Sequence, residues 1–259
     1  MLRPRIIPCL LVHEGGLVKT EGFKNPKYIG DPINAVKIFN EKEADELIVL
    51  DIDATASSAS PDFTMIANLA NECRMPICYG GGIKTAEQAS TIIGLGVEKV
   101  ALSSAAIESP ELVSEISQEI GSQSVAVVID VRKKVGLFKK GYDIYSHNGK
   151  VKHDIDLIDF VKKMEALGAG EIVVNSIDRD GKMAGYDYEL AISLKNIVKI
   201  PLTILGGAGS LDDIKKLIKA CGIIGAAAGS LFVFKGVYRA VLINYPTPIQ
   251  RDLLYKNTN

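Results

Sequence analysis

The chain has 259 residues, of which 47% are hydrophobic and 24% charged, and its formal net charge is -1. This length and apolar content suit one large α/β barrel or two small domains and exclude a disordered chain. Near-neutrality excludes a general nucleic-acid or polyanion binder, so the 30 Lys and Arg residues have to act locally.

Met1-Leu2-Arg3-Pro4-Arg5 leads into a short apolar run broken by Pro8, which is not the pattern of a signal peptide. The longest apolar stretch, Gly222 to Phe234, is too short and glycine-rich to span a bilayer. Cys9, Cys73, Cys78 and Cys221 show no zinc-type spacing and read as reduced core thiols of a cytoplasmic protein. Neither a metal nor an organic cofactor is expected.

In chain order, the first strand is expected at Arg5–Leu11, followed by a long loop at residues 13–31. A second strand follows at Glu46–Ile52, a third at Pro76–Tyr79, a helix at Ala86–Leu95 and a fourth strand at Lys99–Ser103. The fifth strand, Gln123–Asp130, leads into a second long loop at residues 131–154. Within it, Tyr142–Ser146 followed by the turn signal Asn148-Gly149 points to a small hairpin. A helix at Leu157–Leu167, a sixth strand at Glu171–Ile177 and a seventh at Pro201–Leu205 come next. A helix at Leu211–Ala220 and an eighth strand at Gly222–Ala227 complete the series. Eight mostly apolar strands alternating with helices imply a parallel sheet covered on its outer face.

An open doubly wound sheet would satisfy that pattern, but the chain repeats itself. Glu46-Leu47-Ile48-Val49 recurs as Glu171-Ile172-Val173-Val174, Ile52-Asp53 as Ile177-Asp178, and Pro76 as Pro201. Gly81-Gly82 recurs as Gly206-Gly207, and Ser104-Ala105 corresponds to Gly229-Ser230, all at one offset of 125 residues. Four βα units in each half predict one (β/α)₈ barrel over residues 1–259, with twofold pseudosymmetry.

The repeat also duplicates a candidate anion site. Gly81, Gly82, Ser103 and Ser104 end strands three and four, and Gly206, Gly207, Gly229 and Ser230 end strands seven and eight. Glycines let backbone approach an anion, serine hydroxyls add donors, and helix N-termini supply free N–H groups. Tight βα turns need glycine without any ligand, so the placement of two sets by one repeat carries the inference. A substrate with two phosphate-like ends is predicted.

These stretches, with Arg5-Ile6-Ile7-Pro8-Cys9-Leu10, Gly30-Asp31-Pro32, Leu50-Asp51-Ile52, Asp178-Arg179-Asp180-Gly181 and Gly185-Tyr186-Asp187, resemble the cyclase subunits of imidazole glycerol phosphate synthase. The likeness covers nearly the whole chain. It implies a glutaminase docked at the N-terminal face of the barrel, sending ammonia through the centre to an active site at the opposite end. The positions matching the family's ammonia gate are Arg5, Glu46, Lys99 and Glu171, each at the start of a strand. Buried charges there have to pair with one another, and a structural salt-bridge plug would satisfy the same residues.

The resemblance also implies two catalytic aspartates, at the ends of strands one and five, acting as general acid and general base. Asp130 matches the second. The first position is Leu11, which carries no proton. Lys19 matches a family lysine that reaches the active site, Asp51 and Asp180 match further active-site positions, and Ser103 stands where the family often has Asn. Leu11 and the loop Val18-Lys19-Thr20 are similar to a divergent branch found in bacterial surface-polysaccharide pathways.

Three functions fit. One is an ammonia-using synthase subunit that amidinates a nucleotide sugar or related phosphorylated intermediate. Another is the cyclase of histidine biosynthesis, with His13, Asp51 or Asp53 replacing the missing acid. The third is a non-catalytic barrel that activates a glutaminase and passes ammonia onward. No partner membrane or nucleic acid is expected in any of them.

Overall fold

A computed structural model describes residues 3–136 and 140–256. Eight strands form the barrel: β1 (Arg5–His13), β2 (Leu47–Asp51), β3 (Ile77–Gly80), β4 (Lys99–Leu102), β5 (Val125–Lys133), β6 (Glu171–Ser176), β7 (Leu202–Leu205) and β8 (Gly225–Ala228). Each runs parallel to its neighbours. β8 pairs in turn with β1, Arg5 opposite Gly225, which closes the cylinder. The closed barrel, rather than an open sheet, is therefore the fold.

One helix follows each strand on the outside: α1 (Pro32–Glu41), α2 (Phe63–Glu72), α3 (Ala86–Gly94), α4 (Glu111–Ile120), α5 (Leu157–Ala166), α6 (Tyr188–Lys195), α7 (Leu211–Cys221) and α8 (Pro248–Tyr255). Local chemistry starts most of them. Asp31, Asp62, Thr85, Asp156 and Asp187 accept from backbone N–H groups of the first turns, and Ser210 and Thr247 form capping boxes. No helix among the described residues is long and apolar enough to cross a membrane.

Strand alternation sorts the core into two parts. Ile6, Leu10, Val49 and Ile172 face outward and pack under the helices. Ile7, Cys9, Ile48, Cys78, Val128 and Val173 face inward and fill the lumen. The same parity sends Arg5 and Leu11 inward on β1, Ala126 and Asp130 on β5, and Glu171 and Asn175 on β6.

The half-repeat survives in atomic detail. A Cβ built on Gly81 would meet Asp51 O, and one built on Gly206 would meet Ser176 O. Both glycines have positive φ, 128° and 95°. Glycine is required at these two turns by backbone crowding itself.

The structure departs from the sequence expectation after β1. Residues 13–31 are not a loop: Gly16–Glu21 and Lys24–Gly30 form a hairpin that pairs with the end of β1, Leu11 opposite Val18. The turn joining it to β1 places Glu14 at φ 49° and Gly15 at φ 74°. A glutamate is an uncommon occupant of that conformation, so composition did not flag the turn. The hairpin expected in the second long loop forms, with Tyr142–Ser146 against Val151–His153. Strand eight begins at Gly225 rather than Gly222, because Gly222 caps α7 at φ 67°. Strand five runs past Asp130 to Lys133, where pairing with the second hairpin extends it.

Candidate functional site

The barrel has two chemically different ends. At the floor, Arg5, Glu46, Lys99 and Glu171 alternate in sign around the lumen. Arg5 donates to Glu46, and to Glu171 at 2.7 Å. Lys99 donates to Glu46 at 2.8 Å and to Glu171 at 2.7 Å. The fully buried Thr203 hydroxyl donates to Glu171 at 2.6 Å. Burial alone would raise the Glu171 pKa, but Arg5 and Lys99 outweigh it and hold the carboxyl at about 2. Each carboxylate thus meets both cations, and the ring is closed in this conformation.

At the other end, one cavity collects the sequence-derived residues. Gly81, Gly82, Ser103 and Ser104 line one side, and Gly206, Gly207, Gly229 and Ser230 line the other. Since β3–β4 and β7–β8 lie half a turn apart in an eight-strand cylinder, the two sets face each other. The long helices α3 and α7 are capped by Thr85 and Ser210, so they do not offer bare termini to the cavity. Instead short helices start directly at the strand ends, at Ser104–Glu108 and Ser230–Val233, without a side-chain cap. Their first N–H groups have no partner within the helix.

Leu11, Lys19, Asp51, Asp130 and Asp180 line the same cavity. Asp130 receives a hydrogen bond from Asn175 Nδ2 at 3.0 Å. Burial, opposed by that bond, raises its pKa to about 7. Leu11 packs on the apolar lumen beside Leu50, its register partner. Lys19 is 5% exposed, and Gly229 leaves the space its ammonium end occupies. Asp51 accepts from the N–H groups of Asp53 and Ala54 at 2.9 and 3.1 Å, so it also caps its own loop. Burial raises its pKa as well.

His13 and Asp53 pair with each other at 2.7 Å outside the cavity lining, and neither takes the place of a carboxyl at Leu11. Asp180 holds the first hairpin down: Thr20 Oγ1 donates to its carboxylate at 2.8 Å, and Gly22 N to its carbonyl at 3.0 Å.

Residues 5–239, which hold all eight barrel strands and the helices α1 to α7, match the family described as histidine biosynthesis protein. The chain belongs to that family.

Relatives in the family place the chain more finely. It is 57% identical over 97% of its length, and 96% of the relative's, to a Vibrio vulnificus protein named "Putative imidazole glycerol phosphate synthase subunit hisF3". A Pseudomonas aeruginosa relative, named in the same way as hisF2, is 50% identical over 98% of this chain and 100% of its own. The Dictyoglomus thermophilum "Imidazole glycerol phosphate synthase subunit HisF" is 39% identical over 92% of both chains. This histidine biosynthesis family member thus has its similarity to HisF subunits along the entire barrel.

Several residues were not read from the sequence as lining the cavity. Phe23 and Thr20 come from the first hairpin, and His147 and Asn148 from the tip of the second. That tip is anchored over the mouth, with His147 N donating to Ser104 Oγ at 3.2 Å and Asn148 Nδ2 to Ile52 O at 2.8 Å. Asn175 is the residue whose signal was present: a polar side chain in an apolar strand, at the same parity as Glu171.

Proposed function

We propose that the chain is the ammonia-consuming synthase subunit of a glutamine amidotransferase of the imidazole glycerol phosphate synthase type. The observation that carries this is the convergence of two facing glycine and serine cradles, Asp130 and Lys19 in one cavity, at the end of the barrel opposite the charged ring. The cradles suit a substrate with two phosphate groups. Asp130, with a pKa of about 7, suits a general base or acid near neutral pH. Lys19 supplies positive charge where negative charge develops.

On this proposal a cytoplasmic glutaminase docks on the N-terminal face, and the Arg5, Glu46, Lys99 and Glu171 ring admits its ammonia. The apolar lumen would keep ammonia from escaping to water. The names of the relatives favour the cyclase of histidine biosynthesis over sugar amidination.

Leu11 favours the second reading, in which a related phosphorylated intermediate or nucleotide sugar is amidinated in surface-polysaccharide synthesis. One wall of the cavity has no proton carrier there, and Asp130 has to act with another group. Ring closure of the histidine-pathway substrate with free ammonium salt decides between them. Turnover at the rate of an ordinary cyclase establishes the histidine role. No turnover, with both phosphate sites still occupied in phosphate-soaked crystals, excludes the histidine role and leaves the amidinating subunit or a non-catalytic barrel that passes ammonia onward. Co-expression with a glutaminase from the same gene neighbourhood should give a one-to-one complex with raised glutamine hydrolysis, and no association would sink the partner.

A further inference from the structure

Among the described residues, four buried side-chain atoms have no hydrogen-bond partner: Tyr79 Oη, Arg132 Nε, Asn175 Oδ1 and Arg251 Nε. Of these residues only Asn175 lines the cavity. Asn175 is 6% exposed, and while Asp130 is ionised its amide is held in one orientation, because Nδ2 donates to Asp130 Oδ1 at 3.0 Å. That bond leaves the carbonyl oxygen as the unpaired acceptor, itself buried beside Gly206. A buried amide oxygen left unpaired costs roughly 1–3 kcal/mol, so the fold maintains it against stability, and a ligand that donates to it recovers the loss.

The position of Asn175 says what kind of donor arrives. It is the third inward residue of β6, above Glu171 of the ring and Val173 of the lumen. The lumen between is lined by Ile7, Ile48, Cys78, Ala126, Val128 and Val173. Aliphatic and thiol side chains give a small polar molecule rising from the floor nothing strong to bond. At the top it meets the Asn175 oxygen, with the Asp130 carboxylate alongside.

We infer that Asn175 is the ammonia-receiving residue of this barrel: its carbonyl oxygen accepts an N–H of ammonia or a small primary amine, while its own N–H holds Asp130 in place. One N–H to Asn175 leaves the nitrogen lone pair free to point at an electrophilic carbon seated between the two cradles. The inference rests on the ammonia-consuming function proposed above.

Crystals of the whole chain soaked in methylamine hydrochloride test the acceptor directly. A nitrogen within hydrogen-bond distance of Asn175 Oδ1 is expected, and its loss in Asn175→Ala. Absence in the wild type, or persistence in Asn175→Ala, overturns the assignment. Carbon-13 carboxyl titration tests the hold on Asp130: Asn175→Ala should move its midpoint upward, and an unmoved midpoint overturns the positioning role. With ammonium salt as nitrogen donor, Asn175→Ala should raise the KM for ammonia about tenfold, as loss of one hydrogen bond implies, and leave the KM of the phosphorylated substrate unchanged. Asn175→Asp, which keeps an acceptor and loses the donor, should retain most of the ammonia affinity and shift the acid limb of the pH profile upward. The reverse split, a raised substrate KM alone, would mean that the oxygen reads a substrate hydroxyl and overturns the inference. Amine density and a shifted Asp130 in a protein that turns over no substrate would support this inference while sinking the proposed function.

Discussion

Gly229 and Lys19 are fitted to each other: a Cβ on Gly229 would overlap the Lys19 ammonium nitrogen. The backbone at Gly229 has φ -103°, which any residue adopts, so glycine is needed there for space. The lysine's flexible end rather than the barrel would yield to a larger residue.

Gly229→Ala is therefore expected to fold normally and lose activity. A displacement of about 1 Å at a reacting group can cost roughly a hundredfold in rate. Comparison with Lys19→Ala checks it: both variants should fall to similar rates, with melting temperatures close to wild type. A Gly229→Ala enzyme of full activity would remove Lys19 from the chemistry.

Leu11→Asp puts a carboxyl on the wall that lacks one, where Leu11 now packs on the lumen. Partial ring closure with saturating ammonium is the expected gain, because Asp130, Lys19 and both cradles already line the cavity. The gain should disappear in the double variant Leu11→Asp with Asp130→Asn. Stability should fall by about 1–3 kcal/mol, since a partly buried leucine packed on the lumen is replaced by a partly desolvated acid.

The pH dependence follows from Asp130. If the charged form acts as base, turnover should rise with pH through an acid limb near its pKa of about 7. Stability runs the other way. The native pKa lies above the ordinary 3.8, so the folded state holds this proton longer than the unfolded chain, and stability drops as pH climbs from about 4 to about 7. Asp130→Asn removes that loss. At pH 8 it should melt roughly 2–4 °C above wild type for each kcal/mol relieved, with a smaller difference at pH 5. Equal differences at both pH values would contradict the assignment.

The floor ring gives the opposite sign. Glu171 is held at about 2, below its ordinary 4.5, so its contribution is complete above pH 4.5 and is lost as pH falls from there toward 2. Lys99→Met leaves Glu46 and Glu171, both nearly buried, with Arg5 as their remaining ring cation. Removing a partner from a buried ion group should cost about 2 kcal/mol here, given that Lys99 itself is partly exposed. Urea unfolding at pH 7 measures it. If the ring also admits ammonia, the variant should change glutamine-driven turnover while leaving turnover with ammonium salt near wild type.

The eight strands, their order and the twofold repeat were legible in the sequence because parallel barrel strands are continuous apolar runs and because residues 125 positions apart share identities. The strand-end glycines could be named from the same repeat, whereas the floor charges and the leucine at position 11 were singled out through the resemblance to the cyclase family. Tertiary structure decided the rest. Glu14 at positive φ turns the chain back to make a hairpin that composition read as loop, and that hairpin buries Lys19 against Gly229. Contacts between segments far apart in the chain set the pairing of His13 with Asp53, the docking of His147 and Asn148 over the mouth, and the capture of the Asn175 amide by Asp130. Periodicity reports which face a side chain takes. Whether its polar atoms find a partner there depends on what the closed barrel brings opposite, and for Asn175 Oδ1 it brings none among the described residues.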